Sequence, residues 1–292
     1  MRAPAQAPAI GLVVGVLVGL SACGGSSPAP GRGSGDAGQT SDVADAGADV
    51  VDAPSEPVGD GRDAPADAGQ EAGPLSLFDG ASLAAWQTYL GPPSAGAAPL
   101  GLDDDPRGVF SVATVDGAPA IRVSGEVWGA LISRESFCNF RLRAQYKWGQ
   151  RVWPGLGFRD SGLMYLSTGP LGAVNAGGPA LSAPAGTGAY MVSLEFQISP
   201  SDVGSIAALG PIDVKTLSRT VPVELAGWNQ VEIVVQDGTV RHLFNGVEVA
   251  RGQGFTLTWP GQAPAPLACG KLQIECEGSE IYFRNVEIER LP

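Results

Sequence analysis

Two short stretches bring acids and amides to the spacing that strand geometry turns into a surface. In Leu194-Glu195-Phe196-Gln197-Ile198 the polar residues alternate with apolar ones, and in Ile274-Glu275-Cys276-Glu277 two glutamates stand two positions apart. Residues i and i+2 of a strand share a face. Carboxyls held together on one face can move protons, bind hydroxyls or hold a hard cation. Glu195 is the first candidate for a catalytic or ligand-binding acid, because it projects opposite Leu194 and Phe196. Gln197 shares its face and would bind hydroxyls. The plain alternative is a solvated strand glutamate. Glu275 and Glu277 are read the same way: with Glu195 they offer a place for a divalent metal, and otherwise they are exposed. Arg159-Asp160 enters a further strand after a Gly/Pro loop. The pair can orient a polar ligand or stabilise developing negative charge, or it can be a surface ion pair. His242 is the only histidine. It shares a face with Val240 and Phe244, so it reads first as a satisfied core histidine and second as a catalytic group. Trp153, beside Pro154 and Gly155, is the best candidate for an aromatic platform under a ligand ring; most other tryptophans read as core. No Cys/His cluster has zinc spacing.

A frame must hold these residues on one surface, and the patterning predicts antiparallel strands. Phe140, Leu142, Ala144, Tyr146 and Trp148 alternate with Arg141, Arg143, Gln145 and Lys147, the mark of a half-buried strand. Residues 190–198 alternate likewise. Asp116-Gly117, Asp237-Gly238 and Asn245-Gly246 are two-residue turn signals. The first joins strands at 109–115 and 120–123, and the other two define a meander over 228–250. Residues 271–277 and 281–288 read as a final hairpin around Gly278. Residues 75–86 read as an opening strand and turn, and 91–106 as a loop. The long Gly/Ala/Pro stretch at 168–188 suggests a functional or mobile segment. No segment of useful length has helical period. The fold class expected is all-β: two packed antiparallel sheets in a sandwich or jelly roll.

The chain has 292 residues, and its first aromatic is Phe78. A core without aromatics over the preceding length is improbable, so the folded domain is placed at 74–292. Before it, Arg2 and the apolar run 9–20 resemble a signal peptide (residues 1–22) too short to span a bilayer comfortably. Leu20-Ser21-Ala22-Cys23 resembles a bacterial lipobox, which would make Cys23 an acylated N-terminus and a membrane anchor. Residues 24–73 hold ten acids against two arginines, so most of the net charge of −12 lies there. Such a segment cannot offset the entropy of ordering and is expected to be a disordered, self-repelling tether over 23–73. The expected location is the bacterial cell envelope, lipid-anchored. No basic stripe points to nucleic acid, and a monomer is expected. Export favours one disulfide: Cys269 and Cys276 flank one strand, so Cys138 with one of them is the better pair.

The order of landmarks resembles the 3-keto-disaccharide hydrolase domain family, which has a concanavalin A-like jelly roll. Leu77-Phe78-Asp79-Gly80 with Leu83 and Trp86, Asn139-Phe140-Arg141-Leu142, and Asp160-Ser161-Gly162-Leu163 carry the first half. Leu194-Glu195-Phe196-Gln197-Ile198 is similar to its central strand. Gly227-Trp228-Asn229, His242-Leu243-Phe244-Asn245-Gly246 and Phe283-Arg284-Asn285-Val286-Glu287-Ile288 carry the second half. The resemblance spans residues 75–291. It implies a carbohydrate substrate, with Glu195, Glu277 and His242 as catalytic candidates and Gln197, Arg159, Asp160, Trp153 and Glu275 as substrate-binding ones. The cofactor stays open, a divalent metal being one option. Two departures stand out. Many members carry Leu-Gln-x-His-Gly where this chain has Ile274-Glu275-Cys276-Glu277-Gly278, and a histidine where it has Leu166 after Tyr165. Glu277 is then the substitute for the missing base, or the domain binds carbohydrate without cleaving it. A structural envelope protein is a third reading.

Overall fold

The computed structural model describes residues 73–153, 158–175 and 180–292; the segments read as signal peptide and tether, with Cys23, lie outside them. The first strands are β1 (Leu75–Ser76), β2 (Trp86–Leu90), β3 (Gly101–Leu102), β4 (Phe110–Val115), β5 (Ala118–Val123) and β6 (Gly129–Phe137). Next come β7 (Phe140–Val152), β8 (Ser161–Thr168), β9 (Val192–Ile198), β10 (Ile206–Leu209), β11 (Ile212–Arg219) and β12 (Asn229–Gln236). The chain closes with β13 (Thr239–Phe244), β14 (Val247–Leu257), β15 (Ala265–Pro266), β16 (Gly270–Cys276) and β17 (Ser279–Arg290). No helix occurs among the described residues, so none there is long and apolar enough to cross a membrane.

Two antiparallel sheets result, as the patterning predicts. The larger runs β11-β14-β13-β12-β7-β17-β5-β4, and the smaller runs β10-β9-β8-β16-β6-β2-β3. Local chemistry explains the hairpins of the larger sheet. Asp116 and Gly117, Asp237 and Gly238, and Asn245 and Gly246 all have positive φ, the backbone that tight two-residue hairpins need. In β7, Phe140, Leu142, Ala144 and Tyr146 are buried and face Leu163, Leu194, Phe196 and Ile274 of the smaller sheet in one core.

One expected element is corrected. Residues 271–277 and 281–288 do not pair with each other. Strand β16 lies between β8 and β6 in the smaller sheet, whereas β17 lies between β7 and β5 in the larger one. Glu277-Gly278 is therefore a crossing between sheets. Both strands find longer partners elsewhere: β17 pairs with β7 from Ser279 to Arg290. The turn residues alone could not reveal this. Strands β6, β10 and β11 have no counterpart among the elements expected from the sequence; β10 pairs with β9 in the smaller sheet and β11 with β14 in the larger.

The disulfide joins Cys138 to Cys269, with Cys276 free and buried. Phe137 and Gly270 are paired across β6 and β16, so the bridge staples the end of that ladder. It closes a loop of sequence separation 131. Replacing both cysteines by serine is expected to lower stability by about 2–5 kcal/mol in chemical denaturation. An unchanged midpoint would count against this role.

Candidate functional site

The acids read from the sequence converge. A cavity of about 300 Å³ opens beside the outer face of the smaller sheet, lined on its polar side by Asp160, Glu195, Gln197, Glu275 and Glu277. Ala207, Ala208 and Leu209 of edge strand β10 form its apolar wall. The strand periods explain the convergence. Tyr165 points inward to His242 on the opposite sheet, so Met164 and its cross-strand partner Glu195 point outward. Ile274 pairs with inward Leu163, which turns Glu275 outward. Glu277 lies where the chain leaves β16 for the other sheet.

Gly162 has a specific reason to be glycine. The carboxyl of Glu195 occupies the space that any side chain at position 162 would need. Asp160 is held by its neighbours: its N–H donates to Ser279 Oγ at 3.2 Å, while its Oδ1 accepts from Gln197 Nε2 at 2.6 Å and from the Ser161 N–H at 3.1 Å. Among the described residues no donor meets Oδ2. Gln197 thus serves the site by positioning Asp160.

The long segment at 168–188 read as functional or mobile forms, over its described residues 169–175 and 180–188 and together with Ala189, Tyr190 and Met191, a cover. Val174 bridges to Leu181 and Tyr190. Tyr190 Oη donates to the Cys276 carbonyl at 2.9 Å, and the Met191 N–H donates to Gln273 Oε1 at 3.2 Å. This explains why Met164, Gln273 and Glu275 are buried although they face away from the core. Tyr190, whose hydroxyl lies beside Glu275, is a site neighbour that sequence reasoning missed; its only signal was an aromatic ending a Gly-rich stretch.

Burial dominates the electrostatics. Glu195 and Glu275 are 4% and 1% exposed, and Glu195 Oε1 and Glu275 Oε2 meet no protein donor. Loss of hydration raises the pKa of both, and mutual repulsion adds to the rise at Glu275. A proton on Glu275 can be donated to Glu195, joining two oxygens that would otherwise repel. Burial first, then repulsion from Glu275 and Asp160, pushes Glu277 up to about 10. Asp160 rises to about 6, mainly through burial and against the hydrogen bond from Ser161. At neutral pH the cleft therefore holds an ionised Asp160 beside a protonated Glu277. Environments that separate two acids in this way mark an acid/base pair.

Three candidates are not brought here. The Arg159 guanidinium lies 5.7 Å from the Trp148 ring centroid and donates to the Gly149 carbonyl, in a separate depression with Lys147 and Glu224. The Trp153 ring is covered by Arg151, and its N–H is bonded to the Ser124 carbonyl, so it is no platform for this cleft. His242 is fully buried between the sheets. Its Nε2 accepts from Tyr165 Oη at 2.9 Å, and its Nδ1 donates to the Gly204 carbonyl at 3.1 Å. Burial lowers its pKa to about 4. This is the satisfied core histidine, and His242→Ala is expected to cost about 2–4 kcal/mol of stability without changing ligand binding. Denaturation and binding measured on the same variant check both halves. Leu166, where many family members carry histidine, also lies in the core.

Among the described residues no group of three or more His, Cys, Asp or Glu side chains has the spacing to hold the divalent metal left open by the sequence.

Residues 73–289 match the model of the 3-keto-alpha-glucoside-1,2-lyase-like domain. The chain belongs to this family. The match covers all but the last three residues of the described domain, agrees with the resemblance read from the motifs, and makes this a carbohydrate-active type of domain. No curated protein matches the chain. Among solved structures, one similar chain is a Parabacteroides distasonis protein provisionally described as a glycosyl hydrolase, at 20% identity and TM-score 0.45, covering 75% of this chain and 94% of that one. Another is the carbohydrate-binding module CBM66 from Bacillus subtilis, at 10% identity and TM-score 0.37, covering 62% and 91%. Domain 4 of the arabinanase AbnA from Geobacillus stearothermophilus is similar at 12% identity and TM-score 0.35, covering 70% and 82%. Likenesses this distant say nothing of chemistry.

Proposed function

We propose that the cleft breaks the glycosidic bond of 3-keto-glycosides by elimination. A ketone at C3 acidifies the proton on C2. The free oxygen of Asp160 takes that proton, the C1–O bond breaks, and the departing oxygen receives the proton of Glu277. Water then adds across the C1–C2 double bond: its hydroxyl goes to C1, its remaining proton returns to Glu277, and Asp160 gives its proton back to C2. The Glu195–Glu275 pair, with Gln197, would hold sugar oxygens and stabilise charge on the enolate. Two carboxyls here do the work of one base and one acid, which differs from a glycosidase that flanks an oxocarbenium ion. The reading is carried by the convergence of Asp160, Glu195, Gln197, Glu275 and Glu277 in one cleft of a chain from this family. A noncatalytic carbohydrate-binding role is the second reading, favoured by Glu275 and Glu277 standing in place of the family's glutamine and histidine. Acylation at Cys23, with the acidic segment as a tether at the cell envelope, completes the proposal.

The test is product release from a panel of 3-keto-glycosides and their unoxidised parents, followed by mass spectrometry. Release from the keto forms alone is the expected result. Cleavage of the parents would replace elimination by ordinary glycoside hydrolysis. Binding without release would establish the second reading.

A further inference from the structure

Strand β17 is broken where it passes the outer face of the larger sheet. Its ladder with β7 shifts register between Arg284 and Glu287, and Asn285 there has a φ of 51°. Neighbours in a regular strand point to opposite faces. Here Arg284 and Asn285 both donate to Gln145 Oε1, through Nε at 2.8 Å and Nδ2 at 3.1 Å. The bulge turns two consecutive side chains onto one surface, as bulges do beside functional sites, and asparagine tolerates the left-handed backbone this needs. The Arg284 guanidinium lies 3.9 Å from the Trp228 ring centroid. Trp228 Nε1 donates to Asp116 Oδ2 at 2.8 Å, and Lys147 Nζ donates to both oxygens of Asp116. Stacking and the Nε bond thus fix the guanidinium, while among the described residues its two terminal nitrogens have no acceptor and no ion-pair partner.

Arg284 and Asn285 line a depression of about 300 Å³ with Phe78, Asp79, Gly80, Ala118 and Pro119. It shares no residue with the acidic cleft, which lies on the other sheet. We propose that this depression is a second, noncatalytic carbohydrate site, holding one uncharged pyranose ring through two neighbouring hydroxyls. The terminal nitrogens of a guanidinium present N–H groups side by side, and adjacent hydroxyl oxygens can accept from both. Each hydroxyl then has a proton to donate. Asn285 Oδ1 is available once Nδ2 has turned to Gln145, and Asp79 Oδ2 takes only the Ser82 hydroxyl at 3.0 Å among the described residues. Ala118 and Pro119 offer an apolar wall to the C–H face of the ring. A few placed polar groups beside such a wall, at the small end of ligand volumes, suit one ring. Asp79 decides between a neutral and an anionic ligand. Hydrogen bonds from the Ala81 and Ser82 N–H groups hold its pKa below the ordinary value, so it is ionised at neutral pH and would repel a uronate or a phosphate drawn to Arg284.

The experiment follows the tryptophan indole N–H signals of the nitrogen-15-labelled full chain at pH 7 by NMR. Trp228→Phe identifies the Trp228 signal among the six tryptophans. The probes are the methyl glycosides of glucose, galactose, mannose and xylose, with methyl glucuronoside and inorganic phosphate for comparison. A saturable shift of the Trp228 signal is expected with at least one neutral glycoside. Arg284→Lys keeps the charge but loses the paired donors, and Asn285→Gly keeps the left-handed backbone but loses the amide. Each should weaken binding at least about tenfold while the other five indole signals and the melting temperature hold. If Arg284→Lys melts early, Asn285→Gly decides. Asp160→Asn, which alters only the cleft, should leave this binding unchanged. No shift with any neutral glycoside, or equal affinity in Asn285→Gly, would overturn the inference. Tighter binding of methyl glucuronoside or phosphate would assign Arg284 to an anion and overturn it as well. None of these results touches the reading of the cleft, which product release from 3-keto-glycosides tests separately.

Discussion

Replacing Asp160 by asparagine is expected to slow release from a 3-keto-glycoside by about 10²–10⁴-fold, the range for loss of a general base. The fold should tolerate the change. Asn keeps the shape, and its carbonyl oxygen can still accept from Gln197 Nε2 and the Ser161 N–H. Burial already disfavours a charge at this position, so a neutral group should melt no lower at alkaline pH. Glu277→Gln should give a loss of similar size by removing the acid. The wild-type pH profile of kcat/KM provides a second readout. Asp160 must be ionised and Glu277 protonated, so activity should rise through about pH 6 and fall through about pH 10. Gln197→Leu should shift the lower limb upward, because it removes a donor that favours the ionised Asp160. Wild-type rates in Asp160→Asn would remove Asp160 from the chemistry, and a flat profile would remove both residues.

The second large effect concerns stability against pH. Between pH 5 and 9 the melting temperature is expected to fall, and the fall should be smaller in Glu277→Gln. The groups involved are Asp160, Glu195, Glu275 and Glu277, all raised first by burial, with Tyr190 and Asp202 as titratable neighbours. The folded protein binds more protons than the unfolded chain wherever pH lies between the unfolded and folded values. Stability therefore declines as pH rises. The contribution is fully present below about 4, and is lost as pH rises through about 6 for Asp160 and about 10 for Glu277. His242 acts oppositely: held at about 4 by burial, it contributes stability above its unfolded value of 6.5, lost as pH falls toward 4. Asp116 and Glu248 are lowered by their hydrogen bonds to Lys147 and Arg251 and also favour higher pH. They sit near the surface, where such pairs are worth little, so the buried cluster should prevail. Thermal melts across the range settle this. A rising or level melting temperature in the wild type, or an equal slope in Glu277→Gln, would show that the cluster does not hold its protons.

Some of this was local and hence written in the sequence. The alternation over Phe140 to Tyr146 needs only a surface with one wet and one dry side. The Asp-Gly and Asn-Gly turns need only residues that accept positive φ. Both kinds of signal reach no further than a few residues, and both were legible. Strand β6 was not, because Gly129, Ala130, Leu131, Ile132 and Ser133 are buried in succession and leave no alternation to see. The crossing at Glu277-Gly278 was misread for a related reason. Its residues fit a tight turn, and only the longer ladder between β7 and β17 carries the second strand into the other sheet.

The site divides along the same line. Strand period alone put Glu195 with Gln197, and Glu275 with Glu277. Which pairs meet depends on strand order: β8 between β9 and β16 lets Asp160 complete the cleft. Arg159 stands next to Asp160 in the chain, yet its guanidinium turns to Trp148. His242 could be placed on a face, but whether that face met solvent or the second sheet was a matter of packing. The protonation of the carboxyls was the least legible feature. It follows from the desolvation that sheet, edge strand and the cover around Tyr190 impose together, and a carboxyl feels that burial only when distant parts of the chain have closed over it.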